Sequence, residues 1–240
     1  MEKQMDFVSH VKDCIALAEK KQSQLTEEIA LWHNYNPYEG MSTPRIRHLF
    51  NNLLNKKLAS KHGISNTNYL EIGTWKGSTA VPALYKNDVD NYWLIDDFSQ
   101  FNGGVLGNPY SRLLENFQTY LNIVPNLIQQ DSFAVNCAEH NIRDVNFYFY
   151  DGEHNEYNQY RALTYFLDSM ADEFVFIVDD YDGVSPKKGT EAAIQQLTNE
   201  NKINVKYAKY LTSGAPVPGT TPDVESWYCG IFIAVIEKVK

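Results

Sequence analysis

The chain has 240 residues, 43% of them hydrophobic, with a formal charge of −9 and three cysteines. That apolar share supports one buried core with room for an extension, and the acidic balance weighs against a nucleic-acid partner. Cys14, Cys137 and Cys229 are too few and too scattered for a disulfide framework or a zinc site, which suits a reducing cytoplasm.

The polar start MEKQMDFVSHVKDC has no signal-peptide core, and no apolar run nears the ~18 residues of a membrane span. The expectation is a cytoplasmic protein with no membrane partner. Residues 5–32 place Val8, Val11, Ile15, Ala18, Leu25 and Ile29 at helical spacing, interrupted by Gln22. STPRIRHLFNNLLNKKLASKHG predicts a second helix, capped by Ser42 or Thr43, opened by Pro44 and ended by Gly63. Residues 1–66 therefore read as an N-terminal helical extension. Its apolar faces fit packing on the main domain, a cover for a site, or a homodimer interface.

Residues 67–240 read as one domain. Strand-like YLEIG, NYWLIDD, NLIQQDS, VNFYFYDG and EFVFIVDD alternate with helical STAVPALYKN, SRLLENFQTYL, FAVNCAEH, YNQYRALTYFLDSM and KGTEAAIQQLTNEN. This alternation predicts an α/β fold, a doubly wound and mostly parallel sheet. INVKYAKYLT and WYCGIFIAVIEK follow with no helix between them, which predicts a closing antiparallel pair and seven strands in all.

In NYLEIGTWKGSTAVPAL, a strand, a glycine turn and a helix follow without a gap. In such a sheet ligands bind beyond the carboxyl ends of the strands, near the switch in strand order. Gly73 and Gly77 allow a sharp turn and a close ligand approach, and the next helix offers N–H groups at Ser78 and Thr79. Glu71 sits in an apolar run, where an unpaired carboxylate is costly. An ammonium-bearing ligand, a lysine or backbone groups would each satisfy it. Asp96 and Asp97 end the second strand, where an acid accepts bonds from ribose hydroxyls. The G-x-G-x-x-G spacing of dinucleotide sites is absent.

LEIGTWKGST resembles the E-x-G-x-x-x-G turn of class I S-adenosylmethionine-dependent methyltransferases. It is most similar to that of the catechol and caffeoyl-CoA O-methyltransferases and of the macrocin and mycinamicin type. The element order from Tyr69 to Lys240, about three-quarters of the chain, resembles theirs as well. The resemblance implies a Rossmann-like methyltransferase fold with an antiparallel last strand. It further implies a cofactor set of Glu71, Gly73, Thr74, Gly77, Ser78 and Asp96, with Asp131 and Ser132 at the adenine ring.

FYFYDGEHNEY and VFIVDDYDG each end an apolar strand in acid. If these strands are parallel neighbours, ~4.8 Å apart, Asp151, Asp179 and Asp180 converge at the ligand end. Such oxygen donors suit Mg²⁺, which would lower the pKa of a bound hydroxyl, although strand ends also favour Asp for turns alone. The resemblance places metal ligands at these three positions and a proposed base at His154, three residues after Asp151. A neutral imidazole there would accept a hydroxyl proton, unless nearby acids raise its pKa. His10, His33, His48, His62 and His140 read as surface or packing residues.

Three loops could wall an acceptor: NYNPYEGM, FNGGVLGNPYS with its glycines Gly103, Gly104 and Gly107 as a lid, and SGAPVPGTTPDVESW. The sequence thus points to metal-assisted O-methylation of a small hydroxylated acceptor, aromatic or sugar-like. The alternatives are an NAD-dependent oxidoreductase and a non-catalytic cofactor-binding protein.

Overall fold

The computed structural model describes residues 5–31, 40–212 and 226–240. The apolar runs become strands. β1 (Asn68–Ile72) and β4 (Val145–Tyr150) are buried along their whole length, and β5 (Met170–Val178) over its second half. Parallel strands between two helix layers require this. With β2 (Asn91–Ile95), β3 (Leu127–Ile128), β6 (Ile203–Leu211) and β7 (Ile231–Lys238), they form one sheet. Its order is β3-β2-β1-β4-β5-β7-β6. β1 to β5 run parallel, and β7 runs antiparallel to both β5 and β6. This is the seven-stranded α/β sheet expected from the sequence, with the order reversing between β1 and β4.

Side-chain alternation divides the core in two. Tyr69, Phe147, Phe149, Val175 and Ile177 face one helix layer. Leu70, Ile72, Tyr148, Tyr150, Phe176 and Val178 face the other. The first layer holds α1 (Phe7–Glu19), α3 (Pro44–Leu53), α5 (Ala80–Leu84) and α6 (Pro109–Leu121), and the second α7 (Glu156–Phe166) and α8 (Val184–Asn199). Phe7 meets Phe147 at 5.9 Å between ring centres and Phe50 meets Phe149 at 4.6 Å, so the N-terminal helices share the sheet's own core.

Four predicted helices differ from expectation. Residues 5–32 break into α1 and a short α2 (Glu27–Leu31), with Lys21 at φ +53° between them. Asn52 donates to the Gln22 carbonyl at 2.7 Å, and Asn51 accepts from the Gln24 amide at 3.0 Å. These tertiary bonds replace the helical ones. The second helix divides into α3 and α4 (Lys56–Lys61), because Asn55 caps a new start by accepting from the Leu58 amide. FAVNCAEH is turns, with a 3₁₀ turn over Ser132–Ala134. Asn136 accepts from the Ala138 amide at 3.1 Å, a local bond that competes with helix.

Where the helix after β1 is concerned, only Ala80–Leu84 is helical. Asn51, fully buried, donates to the carbonyls of Pro82 at 2.7 Å and Tyr85 at 2.9 Å, which satisfies the end of this short element. Among the described residues, no helix is long and apolar enough to cross a membrane.

Candidate active site

The register of the sheet builds the site. Ile72 lies opposite Ile95 on one side and Tyr150 on the other, and Tyr150 lies opposite Val178. The next residue of each strand is therefore at the same level: Gly73, Asp96, Asp151 and Asp179. Each still donates its amide to the neighbouring strand. Gly73 bonds Ile95 at 2.9 Å, Asp151 bonds Ile72 at 2.9 Å, Asp179 bonds Tyr150 at 3.1 Å and Asp96 bonds Ile128 at 3.3 Å. A cleft of about 480 Å³ opens above these ends.

Gly73, Thr74, Ser78, Asp96, Asp131, Ser132, Asp151, His154, Asp179 and Asp180 all line this one cleft. Glu71 and Gly77, the other two residues of the sequence reading, do not line it. Glu71 is wholly buried and lies behind the turn. The Tyr69 hydroxyl donates to it, and the Thr79 hydroxyl donates at 2.8 Å. Neighbouring hydroxyls thus bond both carboxylate oxygens of Glu71. Burial raises its pKa to about 8 despite these bonds.

The two glycines are also explained by the protein's own packing. A Cβ on Gly73, at φ +83°, would stand 1.9 Å from the Asp151 carbonyl oxygen. A Cβ on Gly77, at φ +82°, would meet the Leu113 side chain at 2.8 Å. Between them Trp75 takes φ +44° and presents its amide to Asp96 Oδ2 at 2.7 Å, while its indole N–H donates to the Phe101 carbonyl at 3.3 Å. Trp75 thereby forms part of the cleft wall. The other Asp96 oxygen accepts from the Phe98 amide at 2.7 Å. Burial raises the Asp96 pKa, opposed by those two amide bonds.

Across the cleft, His154 Nδ1 lies 2.8 Å from Asp180 Oδ2 and its Nε2 lies 3.3 Å from Asp151 Oδ1. One ligand atom from each of these three residues falls within 4.8 Å of the others. Asp179 is outside that set, since its Oδ1 accepts from the Asp180 amide at 2.9 Å. Burial pulls the His154 pKa down, but the two carboxylates outweigh it and hold the imidazole at about 11. Burial raises Asp151 to about 6 against the opposing effect of His154. For Asp180 the His154 bond and charge overcome burial, and its pKa is lowered. The acids raise the imidazole pKa, as the sequence allowed, and both pairings favour the protonated form of His154.

The strand-end residues were legible because acid closing an apolar run is a visible pattern. Phe133, Arg161, Tyr228 and Cys229 also line the cleft and were not singled out. Cys229 is held there by a pairing with no local sequence signal: the carbonyls of Cys229 and Gly230 accept the Asp182 and Tyr181 amides, at 2.9 and 3.0 Å. Tyr181, which follows the Asp179–Asp180 pair, is 4% exposed and stacked on Phe232 at 4.7 Å. Trp75, Phe101, Asp180 and Cys229 hold φ values of +44°, +49°, +52° and +57°, so four non-glycine residues of the cleft wall are strained. Phe101 and Met41 come from two of the three expected acceptor loops, while residues 32–39 and 213–225 lie outside the described residues. His10 bonds the Leu53 carbonyl, His48 bonds Ser23 and His62 bonds Asp13, all packing or surface roles.

No family model and no curated protein matches the sequence. Solved structures do share its architecture. The O-methyltransferase TomG from Streptomyces achromogenes, in complex with S-adenosylmethionine, is 12% identical, with 99% of this chain and 100% of that chain aligned at a TM-score of 0.56. An O-methyltransferase from Bacillus cereus, in complex with S-adenosylhomocysteine, is 12% identical over 97% of this chain and 91% of that one, with a TM-score of 0.50. A candidate RNA methyltransferase, PH1948 from Pyrococcus horikoshii, is 13% identical over 96% and 98%, also at 0.50. The chain has the Rossmann-like fold of class I S-adenosylmethionine-dependent methyltransferases. That fold is shared by these two O-methyltransferases and by the candidate RNA methyltransferase.

Proposed function

We propose that this protein transfers a methyl group from S-adenosylmethionine to the hydroxyl of a small acceptor, with a divalent cation at the acceptor side. One observation carries the reading: the ends of the five parallel strands bring the glycine turn, Asp96, Asp131 and the Asp151–His154–Asp180 group into a single cleft. The turn over Gly73–Ser78 would pass the methionine part, Asp96 would take the ribose through its remaining lone pairs, and Asp131–Phe133 would border the adenine. Glu71 is assigned a supporting role, holding Thr79 at the cleft wall.

The donor set fits a divalent cation, since two carboxylates and an imidazole nitrogen converge within 4.8 Å. Asp151 and Asp180 would hold it, with Asp179 bracing the Asp180 backbone. Such an ion, when bound, lowers the pKa of a hydroxyl beside it. His154 is the proposed base. To accept a proton it must first give up its own and turn one ring nitrogen from its carboxylate toward the acceptor. Direct displacement at a sulfonium carbon then asks the chain mainly to align acceptor and donor and to exclude water.

The nicotinamide alternative is not favoured, because the fold matches methyltransferases and the turn lacks the dinucleotide glycine spacing. Residues 1–66 are proposed to work with 67–240 as one unit, because their helices complete the core beneath the site. Calorimetry with S-adenosylmethionine tests the reading. Binding at micromolar to sub-millimolar concentration is expected, and none at about millimolar concentration would reject it.

A further inference from the structure

We propose that the cleft selects its acceptor by charge, taking a hydroxylated small molecule that bears an ammonium group and rejecting acceptors that carry phosphate, nucleic acid among them. This rests on the methyltransferase reading and names the substrate class for it. Carboxylates arrive from four of the five parallel strand ends: Asp96 and Asp97 after β2, Asp131 after β3, Asp151 and Glu153 after β4, Asp179 and Asp180 after β5.

Among the described lining residues, the cations opposing them are His154 and Arg161. His154 is held between Asp151 and Asp180. The Arg161 guanidinium lies 4.0 Å from the centre of the Phe133 ring and 5.5 Å from those of Tyr157 and Tyr165. Lys76 is 2% exposed, beneath the Trp75 ring, and does not line the cleft. Residues 98–108, 32–39 and 213–225 contain no lysine or arginine, so none of these segments adds a cation whatever its placement.

Asp97 and Glu153 carry the argument furthest. Both are exposed in the cleft, and both stand outside the sets proposed for donor and ion. Their hydrogen bonds come from neutral groups, Ser99 for Asp97 and the Asn158 amide for Glu153. Neither set of bonds brings a compensating positive charge. A cleft of one sign between low-dielectric walls concentrates counter-charge and repels like charge. Its wall also presents aromatic surface. Trp75 and Phe101 pack edge to face at 6.4 Å, with Phe101 53% exposed, and Tyr228 lies on the same lining. Carboxylates beside aromatic faces are the chemistry that recognises an ammonium group.

The test uses three nucleosides that differ only at the 5′ position, where the donor's sulfonium would lie: 5′-amino-5′-deoxyadenosine, adenosine and adenosine 5′-monophosphate. An acceptor oxygen must approach that centre to about 3 Å, so the 5′ group samples the field the acceptor meets. Calorimetry on the full chain in chelator, so that no ion recruits phosphate, should rank amine tightest and phosphate weakest, roughly tenfold or more apart, with the gap closing as salt rises from about 50 to about 500 mM. The double variant Asp97→Asn, Glu153→Gln should narrow that gap about threefold. Phosphate binding as tightly as the amine would overturn the proposal, as would micromolar binding of an RNA oligonucleotide at about 150 mM salt. If none of the three nucleosides binds, the methyltransferase reading itself fails.

Discussion

Glu71 and Asp151 are neighbours in the sheet, with Glu71 opposite Phe149 and Asp151 two residues further on. Burial raises the pKa of both, to about 8 and about 6. Their surroundings then diverge. Glu71 points into the helix layer, has no exposed surface and is closed in by the hydroxyls of Tyr69 and Thr79. Asp151 begins past the strand end, its side chain is 28% exposed to the cleft and it faces an imidazole that is itself 38% exposed. A strand carboxyl closed in by buried partners is structural. One that lies past the strand end, with a solvent-exposed partner, is accessible to a ligand.

The comparison breaks most severely if the backbone joining the two acids is disturbed. Gly73→Ala forces a Cβ to 1.9 Å from the Asp151 carbonyl oxygen at φ +83°. The expected loss exceeds ~4 kcal/mol in chemical denaturation, or the variant fails to fold. Gly77→Ala meets a flexible leucine end at 2.8 Å and should lose less, about 1–3 kcal/mol. Equal stability of Gly73→Ala and wild type would show that the two turns are not locked together.

The next largest effect is a pH dependence. Glu71 binds its proton more tightly in the folded state than in the unfolded chain, since its pKa is raised from 4.5 to about 8. Its contribution is therefore complete below pH 4.5 and is lost as pH rises through about 8. Relative to Glu71→Gln, which keeps a neutral side chain, wild type should lose up to ~4 kcal/mol between about pH 5 and about pH 9. Parallel stability curves for the two proteins would mean that Glu71 does not titrate in this range.

The same contrast sets what the sequence could reveal. Strand ends were legible because an apolar run stopped by Asp is a local pattern, and parallel pairing then put Asp96, Asp151 and Asp179 at one level. The partner of Glu71 was not legible. Tyr69 looked like an ordinary strand residue, and Thr79 looked like the start of a helix. Only the folded turn brings both hydroxyls to one carboxyl. The difference between Asp179 and Asp180 was hidden for a related reason: they are adjacent, and with φ +52° at Asp180 its carboxylate meets His154 while Asp179 accepts from the Asp180 amide. Helix boundaries failed where side-chain amides intervened, at Asn51, Asn52, Asn55 and Asn136. Their competing bonds are tertiary or two to three residues away, which a 3.6-residue period does not register.

Ion binding sharpens the contrast at a smaller scale. Titration with Mn²⁺ should show at least ~10-fold weaker binding for Asp151→Asn and for Asp180→Asn. Asp179→Asn should lose only about threefold, as a residue that positions its neighbour. Glu71→Gln should bind the ion as wild type does. An ion site untouched by Asp180→Asn would remove the cation from the mechanism and leave the imidazole pairing as structure alone.

The smallest expected effect tests the Glu71 side by itself. Tyr69→Phe removes one hydroxyl donor and little volume, so it should cost ~1 kcal/mol at about pH 5. The sign at higher pH is more telling. The Tyr69 bond favours the charged form of Glu71. Without it the carboxyl holds its proton to higher pH, and the loss of stability shifts upward while ion affinity stays unchanged. If Tyr69→Phe instead weakened Mn²⁺ binding, the two acids would belong to one network. The division between a closed structural carboxyl and an open functional one would then be wrong.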